Sequence, residues 1–289
     1  MDRILFGDNQ FFGINHLSED KALQQSMRFR DLDAIMEVLD YVYQIGLRTF
    51  MCTTHERIAE VCDRIRANAE FYKGFQFYPC MPYAHKYNNA MAEYGMAAAL
   101  RRLLRGRIVS TVARGGVAIV QRDYVSLMRL LVDTEMGAFE GVPTGAIFLQ
   151  NVVTDLLLGM GMTGLLAEFA EYVADRYHAT PGFITMNLPA LSRALESGGV
   201  GSAVICSSIN KIGFRMPGGT RAYEESIART KYQVIAMQPL AAGALSPRQA
   251  VEYVCAQPGI SSILFGASTR AHIAETKSII ESLSAEARA

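Results

Sequence analysis

The chain has 289 residues, half of them apolar, and its 28 basic and 28 acidic side chains give a formal net charge of zero. This length suits one large core, and the charge balance argues against a basic nucleic-acid surface and an acidic disordered tail. The N-terminus lacks a secretory pattern, no segment reaches the ~20 apolar residues that cross a bilayer, and the five cysteines show no CxxC spacing. We therefore expect a cytoplasmic protein with reduced thiols that binds a small-molecule substrate, and neither nucleic acid nor membrane.

Short apolar runs alternate with longer segments of helical spacing along the chain. The runs predict eight strands, at residues 3–7, 48–53, 75–80, 146–150, 182–186, 202–207, 233–237 and 261–265. Helical patterns lie between them and are clearest at 32–46, 56–74 and 164–178. Eight repeats of strand then helix predict a parallel (β/α)8 barrel that folds as one domain over residues 1–289.

The connection between the third and fourth strands is much longer than the others. Residues 82–145 contain two helical patterns, which we interpret as a helical insertion within the barrel rather than as a second domain. An additional strand within 108–120 is an open alternative. The two apolar helical faces make this insertion a candidate contact surface for a homo-oligomer.

Polar residues follow almost every predicted strand, and barrels of this type carry their active sites at those strand ends. The residues that could move protons are Asp8, His16, His55, His85 and Lys86. The residues that could hold substrate are Asn9, Gln10, Asn15, Glu56, Tyr83, Gln150, Asn187 and Gln238.

The segment GDNQFFGINH, residues 7–16, is the densest of these clusters. Its amides could hold hydroxyl or carboxylate groups of a ligand, and Asp8 or His16 could act as acid or base. The alternative is a local turn in which Asp8 and Asn9 bond the backbone while Phe11 and Phe12 fill the end of the barrel.

Other chemistries have weaker signals. Histidines 16, 55 and 85 with Asp8 or Glu56 could ligate a divalent metal, but their spacing matches no short metal motif, so no metal residue is assigned. Lys86 and Lys211 are better explained as solvated lysines than as Schiff-base lysines. The GMGMTG run at 159–164 satisfies G-x-G-x-x-G, yet it falls in the loop region after the fourth strand instead of opening a βαβ unit.

Several stretches resemble the aldo-keto reductase superfamily. These are VIAMQPLAAG at 234–243, FGASTRAHIAET at 265–276 and DYVYQIGLRTFMCTT at 40–54. The resemblance implies an aldo-keto reductase barrel with NADPH as cofactor, Asn187 on its carboxamide, and Ser268, Thr269 and Arg270 as phosphate-loop residues.

The resemblance fails at the catalytic tetrad of that family. The aspartate position falls on Cys52, the tyrosine position near His55 and the strand-4 histidine position on Gln150, while the third strand ends without a lysine, although Lys86 follows shortly. A cysteine and a glutamine cannot lower a phenol pKa as an aspartate–lysine pair does. We therefore expect a divergent barrel that does not reduce carbonyls by the usual route.

The favoured hypothesis is non-redox acid–base chemistry, of lyase, isomerase or epimerase type, on a small oxygenated metabolite, with no cofactor favoured. The alternatives are an NADPH-dependent carbonyl oxidoreductase with a relocated proton donor, a metal-dependent lyase or hydrolase, and a non-catalytic binding protein.

Overall fold

A computed structural model describes residues 1–13, 19–83 and 124–286, and its eight parallel strands close into a barrel in sequence order. The strands are β1 Ile4–Gly7, β2 Thr49–Thr53, β3 Gln76–Met81, β4 Ala146–Leu149, β5 Thr180–Thr185, β6 Val204–Ser208, β7 Gln233–Met237 and β8 Ile260–Phe265. β1 pairs with both β2 and β8, so the sheet has no free edge. The predicted (β/α)8 class is confirmed, and each strand end lies within two residues of the predicted one.

Helices follow the strands and surround the barrel. They are α1 Glu19–Arg28, α2 Leu32–Gln44, α3 Glu56–Ala67, α4 Tyr124–Met136, α5 Asn151–Gly159, α6 Gly164–Tyr177, α7 Leu188–Ser197, α8 Gly219–Arg229, α9 Pro247–Cys255 and α10 Arg270–Glu286. None in the described part of the chain is long and apolar enough to span a membrane.

Side chains alternate between two cores along each strand, because successive strand residues point to opposite faces. The lumen is filled by Leu5, Met51, Tyr78, Cys80, Ala146, Phe148, Val204, Cys206 and Ile235. The other face of the strands packs against the helices. Cys52 belongs to this outer core. The expectation that Cys52 takes the place of a catalytic aspartate is therefore wrong. The side chains of its neighbours Met51 and Thr53 face the lumen, whereas that of Cys52 faces the helices.

Side-chain hydrogen bonds close the amino end of the barrel. Arg3 donates to the carbonyl of Ile260 and to Ser284, while the hydroxyl of Thr49 donates to the carboxylate of Asp2. Gln76 donates to Thr49 at 2.9 Å. These described residues occupy the amino end with their hydrogen bonds, and parallel barrels bind their ligands at the carboxyl ends of the strands.

The long connection before β4 is described only in part. Residues 84–123 lie outside the described residues, and with them most of the predicted helical insertion at 82–145, the alternative strand at 108–120 and the predicted oligomer surface. The described remainder contains α4 and a short 3-10 turn at Gly137–Phe139. Further along, the GMGMTG run joins α5 to α6 and does not follow a strand, in agreement with its interpretation as a loop.

Candidate functional site

Asp8 lies at the carboxyl end of β1 and is only 5% exposed. Its Oδ2 accepts two hydrogen bonds, from the backbone N–H and from the hydroxyl of Thr53, each at 2.7 Å. These are the hydrogen bonds of its side chain within the described part of the chain, so the lone pairs of Oδ1 are not used by them. Asp8 therefore joins β1 to β2 and keeps one carboxyl oxygen for other chemistry.

Burial dominates the acidity of Asp8. Loss of solvation raises its pKa from 3.8 to about 6, while the bonds from Thr53 act in the opposite direction. Burial, and to a lesser extent the charge of Asp8, raises the pKa values of the Cys80 thiol and the Tyr83 phenol. A carboxyl with a pKa near neutrality inside a barrel mouth has the acidity of a general acid or base.

His55 is the N-cap residue of α3. Its Nδ1 accepts a hydrogen bond from the backbone N–H of Arg57 at 3.1 Å. An accepting Nδ1 carries no proton, so the neutral ring carries its proton on Nε2. The cap fixes both the tautomer and the orientation of this imidazole, and makes Nε2–H a hydrogen-bond donor.

Aromatic contacts connect His55 with the loops that follow β1 and β3. Its ring stacks on Phe12, with centroids 4.1 Å apart, and meets the ring of Tyr83 edge-on at 5.2 Å. Tyr83 is in turn close enough to Asp8 for its pKa to be raised by that carboxyl, after the larger effect of burial. Thr53, which bonds Asp8, precedes His55 by two residues, so Asp8, His55 and Tyr83 lie at the ends of the adjacent strands β1, β2 and β3.

A second polar group lies at the ends of β6 and β7. The hydroxyl of Ser208 donates to Oε1 of Gln238 at 2.8 Å. Gln238 has a φ of +54°, in the left-handed region that a residue with a side chain rarely adopts. Such backbone strain is concentrated at functional sites in proteins. Gln150, the N-cap residue of α5, donates from Nε2 to the carbonyl of Cys80 at a longer distance of 3.4 Å.

Asn187 uses its side-chain oxygen to cap the helix that follows it. Its Oδ1 caps α7 by accepting from the backbone N–H of Ala190 at 3.2 Å. Asp155 fixes the preceding residues by accepting from the hydroxyl of Thr185 and from the backbone N–H of Met186. The amide nitrogen of Asn187 is the part of this side chain left to contact a ligand.

The other described candidates divide by burial. Asn9 and Glu56 are exposed. Gln10 is 4% exposed, and its Nε2 donates to the carbonyl of Gly7 at 2.7 Å. Because that carbonyl only accepts, the amide orientation is fixed, and Oε1 is left buried without a hydrogen-bond partner. The same oxygen lies so close to Gly266 that any Cβ there would overlap it.

Four predicted site residues cannot be placed: Asn15, His16, His85 and Lys86 lie outside the described residues, so the expectation that His16 and His85 join Asp8 and His55 around one hollow stays a prediction. Within the described ranges, no group of three or more His, Cys, Asp or Glu side chains could hold a metal ion.

Sequence reasoning missed two participants. Thr53 is one of the polar residues at the end of the second predicted strand but is not a predicted site residue, and only the pairing of β1 with β2 brings it to Asp8. Phe12 was considered as barrel filling, yet it supplies the surface on which His55 stacks. The sequence position of Thr53 could have indicated its role, because a residue two positions after the lumen-facing Met51 also faces the lumen.

The fold is that of aldo-keto reductases. A solved protein from Pseudomonas aeruginosa assigned as an aldo-keto reductase is 13% identical, with 98% of this chain and 90% of that one covered and a TM-score of 0.60. A protein assigned as a 2,5-diketo-D-gluconic acid reductase B is 12% identical, with 99% and 86% covered and a TM-score of 0.57. An aldo/keto reductase from Brucella melitensis is 9% identical, with 98% and 94% covered and a TM-score of 0.53. No family model and no curated protein matches the sequence.

The residues at the end of β8 are the ones that would hold a dinucleotide phosphate. Ser268 accepts a hydrogen bond from Gln25 of α1 at 3.1 Å, and Thr269 accepts one from the backbone N–H of His272. The guanidinium of Arg270 lies over the ring of Tyr41 at 5.3 Å. A phosphate needs donors that point to it. Ser268 and Thr269 only accept in these bonds, so both hydroxyls can still donate to a phosphate, as can the N–H groups of Arg270.

Proposed function

We propose that this protein is an enzyme that moves a proton next to a carbonyl group of a small oxygenated metabolite, as an isomerase, an epimerase or a lyase. The observation that carries the proposal is the buried carboxyl of Asp8, with a pKa of about 6, bonded to Thr53 two residues before His55, an imidazole whose tautomer is fixed. These are the two parts that enolate chemistry requires: a base for the C–H proton and a donor for the carbonyl oxygen.

The residues have distinct roles in the proposed reaction. Oδ1 of Asp8 takes the proton from the carbon next to the carbonyl, and the electron pair of that C–H bond moves to the carbonyl oxygen. Nε2–H of His55 donates a hydrogen bond to this developing oxyanion. Return of the proton to another position gives an isomer or epimer, whereas loss of a β-substituent gives elimination.

Acidity and surroundings agree with these roles. With a pKa of about 6, Asp8 is mostly ionised at pH 7 and is still a stronger base than an exposed aspartate. The half-buried rings of Phe12 and Tyr83 limit water around the imidazole. A less solvated site strengthens the hydrogen bond to an oxyanion.

The opposite part of the mouth would hold the rest of the substrate. Ser208 and Gln238 form a hydroxyl–amide pair there, and Gln150 and the amide nitrogen of Asn187 are further polar contacts. We propose that this group binds a second oxygen function of the substrate. His16, His85, Lys86 and Asn15 stay predicted participants, and the cytoplasmic location and the homo-oligomer likewise stay predictions.

Exchange of substrate protons with solvent tests the proposal directly. Small 2-hydroxy aldehydes, 2-hydroxy ketones and keto acids are incubated with the protein in D2O, and loss of the proton next to the carbonyl is followed by NMR. We expect exchange with the wild type, a loss of at least about 100-fold with Asp8→Asn, and little change with Glu56→Gln, whose side chain is exposed. Equal exchange by wild type and Asp8→Asn would end the proposal.

A second candidate is an NADPH-dependent carbonyl reductase, which the likeness of the fold to reductases favours. Titration of NADPH while its fluorescence is followed separates the two functions. Binding at micromolar concentration, together with carbonyl-dependent oxidation of NADPH, would favour the reductase. A protein that neither binds NADPH nor exchanges any proton is better described as a non-catalytic binding protein.

A further inference from the structure

Thr53 contacts Asp8 in a way that no other described residue does. Both of its donors, the backbone N–H and the hydroxyl, reach the same oxygen, Oδ2, at 2.7 Å. Two donors on one oxygen fix the rotation of the carboxyl group, and they leave Oδ1 as the oxygen that can take a proton. Thr53 is itself only 9% exposed, so water does not readily replace it.

We infer that Thr53 is a positioning residue, which selects the oxygen of Asp8 that acts as the base and keeps this carboxyl ionised at neutral pH. The inference rests on the proposed proton-transfer function for its purpose, but its geometry is independent of any substrate. A hydrogen bond to an ionised group stabilises the charged form more than the neutral one. Without the hydroxyl, burial is opposed by backbone N–H groups alone, and the carboxyl keeps its proton to higher pH.

Three titratable neighbours of Asp8 keep their protons over the pH range in which it titrates. Burial, and to a lesser extent the charge of Asp8, raises the pKa values of the thiols of Cys52 on β2 and Cys80 on β3, and that of the Tyr83 phenol after β3. All three groups therefore hold their protons between pH 5 and 8. His55 is a further titratable group in this rim, and its ring signals can be followed separately.

The chain offers a matched control next to Thr53. The side chain of Thr54 is 5% exposed, and its hydroxyl is buried without a hydrogen-bond partner. Thr53→Val and Thr54→Val are thus the same chemical change at neighbouring buried positions. Only the first removes a hydrogen bond to Asp8, so a difference between the two variants reports that bond rather than the loss of a hydroxyl.

The experiment is a pH titration of protein labelled with 13C at the aspartate carboxyls, with Asp8→Asn identifying the signal of Asp8. We expect an inflection near pH 6 in the wild type, an inflection roughly one to two pH units higher in Thr53→Val, and wild-type behaviour in Thr53→Ser and Thr54→Val. Thr53→Ala replaces Thr53→Val if the valine variant does not fold, as judged by circular dichroism.

Two results would overturn the inference: an unchanged inflection in the variant that lacks the Thr53 hydroxyl, or an equal shift in Thr54→Val. Failure of the proposed function looks different. If the inflection moves as expected but no substrate exchanges a proton, the positioning role of Thr53 stands and the proton-transfer function falls. If Asp8→Asn abolishes exchange while Thr53→Val leaves the titration unchanged, the function stands and the positioning role falls.

Discussion

The imidazole of His55 stacks on the phenyl ring of Phe12, with ring centroids 4.1 Å apart and planes inclined by 20°. Phe12 belongs to the short 3-10 turn after β1, and His55 follows β2, so the contact joins the loops of two neighbouring strands. Tyr83 adds the end of β3 to the same cluster. Aromatic contacts of this kind contribute about 0.5–1.5 kcal/mol beyond the area they bury, which favours one orientation of the imidazole ring.

Asp8→Asn is expected to stabilise the protein at neutral pH. The pKa of Asp8 is higher in the folded protein, about 6, than its ordinary value of 3.8, so folding favours the protonated carboxyl. Wild-type stability therefore falls as the pH rises from about 4 to about 6, and the asparagine variant is spared this loss. The free energy of unfolding of Asp8→Asn should exceed that of the wild type by up to about 3 kcal/mol at pH 7.5, and the difference should vanish near pH 4.

Urea unfolding at several pH values measures this difference. Asp175→Asn, an exposed position on α6, is the matched control and should show no pH-dependent change relative to the wild type. An Asp8→Asn variant that is no more stable than the wild type at pH 7.5 would mean that the ionised carboxylate is not penalised by burial.

Two substitutions at His55 separate the helix-capping hydrogen bond of its side chain from the other contacts of its imidazole ring. Alanine removes both, whereas asparagine removes the ring but can still accept from the backbone N–H of Arg57, as His55 does. We expect His55→Ala to unfold with a free energy about 1 kcal/mol lower than that of His55→Asn. Both variants should lose proton exchange alike, because both lack the Nε2–H donor.

Chemical denaturation and the exchange assay are compared for the same two proteins. Equal stability would show that the Nδ1 bond contributes nothing to α3. Full exchange activity in His55→Asn would remove His55 from the proposed mechanism.

Gly266 and Gln10 should be coupled. A Cβ at Gly266 would overlap Oε1 of Gln10, whose orientation is fixed by its bond to Gly7. We expect Gly266→Ala to cost about 1–3 kcal/mol of stability in the wild type and much less in Gln10→Ala, with a coupling free energy above roughly 1 kcal/mol in the double-mutant cycle. Gly164→Ala, where a Cβ meets nothing within 4 Å, should be neutral or slightly stabilising. Additive costs for Gly266→Ala and Gln10→Ala would contradict the contact.

Cysteine reactivity should be confined to one thiol in the native protein. Cys255 is partly exposed, while Cys52, Cys62, Cys80 and Cys206 are buried. Burial raises the pKa of Cys62 to about 12 and that of the other three thiols well above the ordinary range, so few thiolates form at pH 8. Iodoacetamide should modify Cys255 first, as read by mass spectrometry, and Cys255→Ser should stay unmodified over the same time. Early modification of Cys80 would show that the lumen is open to solvent.

The individual roles at the mouth show where prediction from sequence ended. Asp8, His55 and Tyr83 were predicted as site residues because polar side chains after strands face the active end of a parallel barrel. Their contacts with one another were not predictable, since the register of β1 on β2 decides which residue of β2 meets Asp8. The position of Cys52 was not predictable either. Side chains alternate along β2, so Met51 faces the lumen and Cys52, one residue later, packs in the outer core.

The sequence alone determined the eight strands and the closed barrel, because apolar runs of strand length alternating with helical periods have few other ways to bury themselves. Only the tertiary structure decided that Thr53 bonds Asp8, that His55 caps α3, and that Ser268 accepts from Gln25. The physical reason is the separation along the chain over which each feature is determined. Periodicity is a local property of the chain, whereas a hydrogen bond between residues 45 positions apart depends on how two strands align.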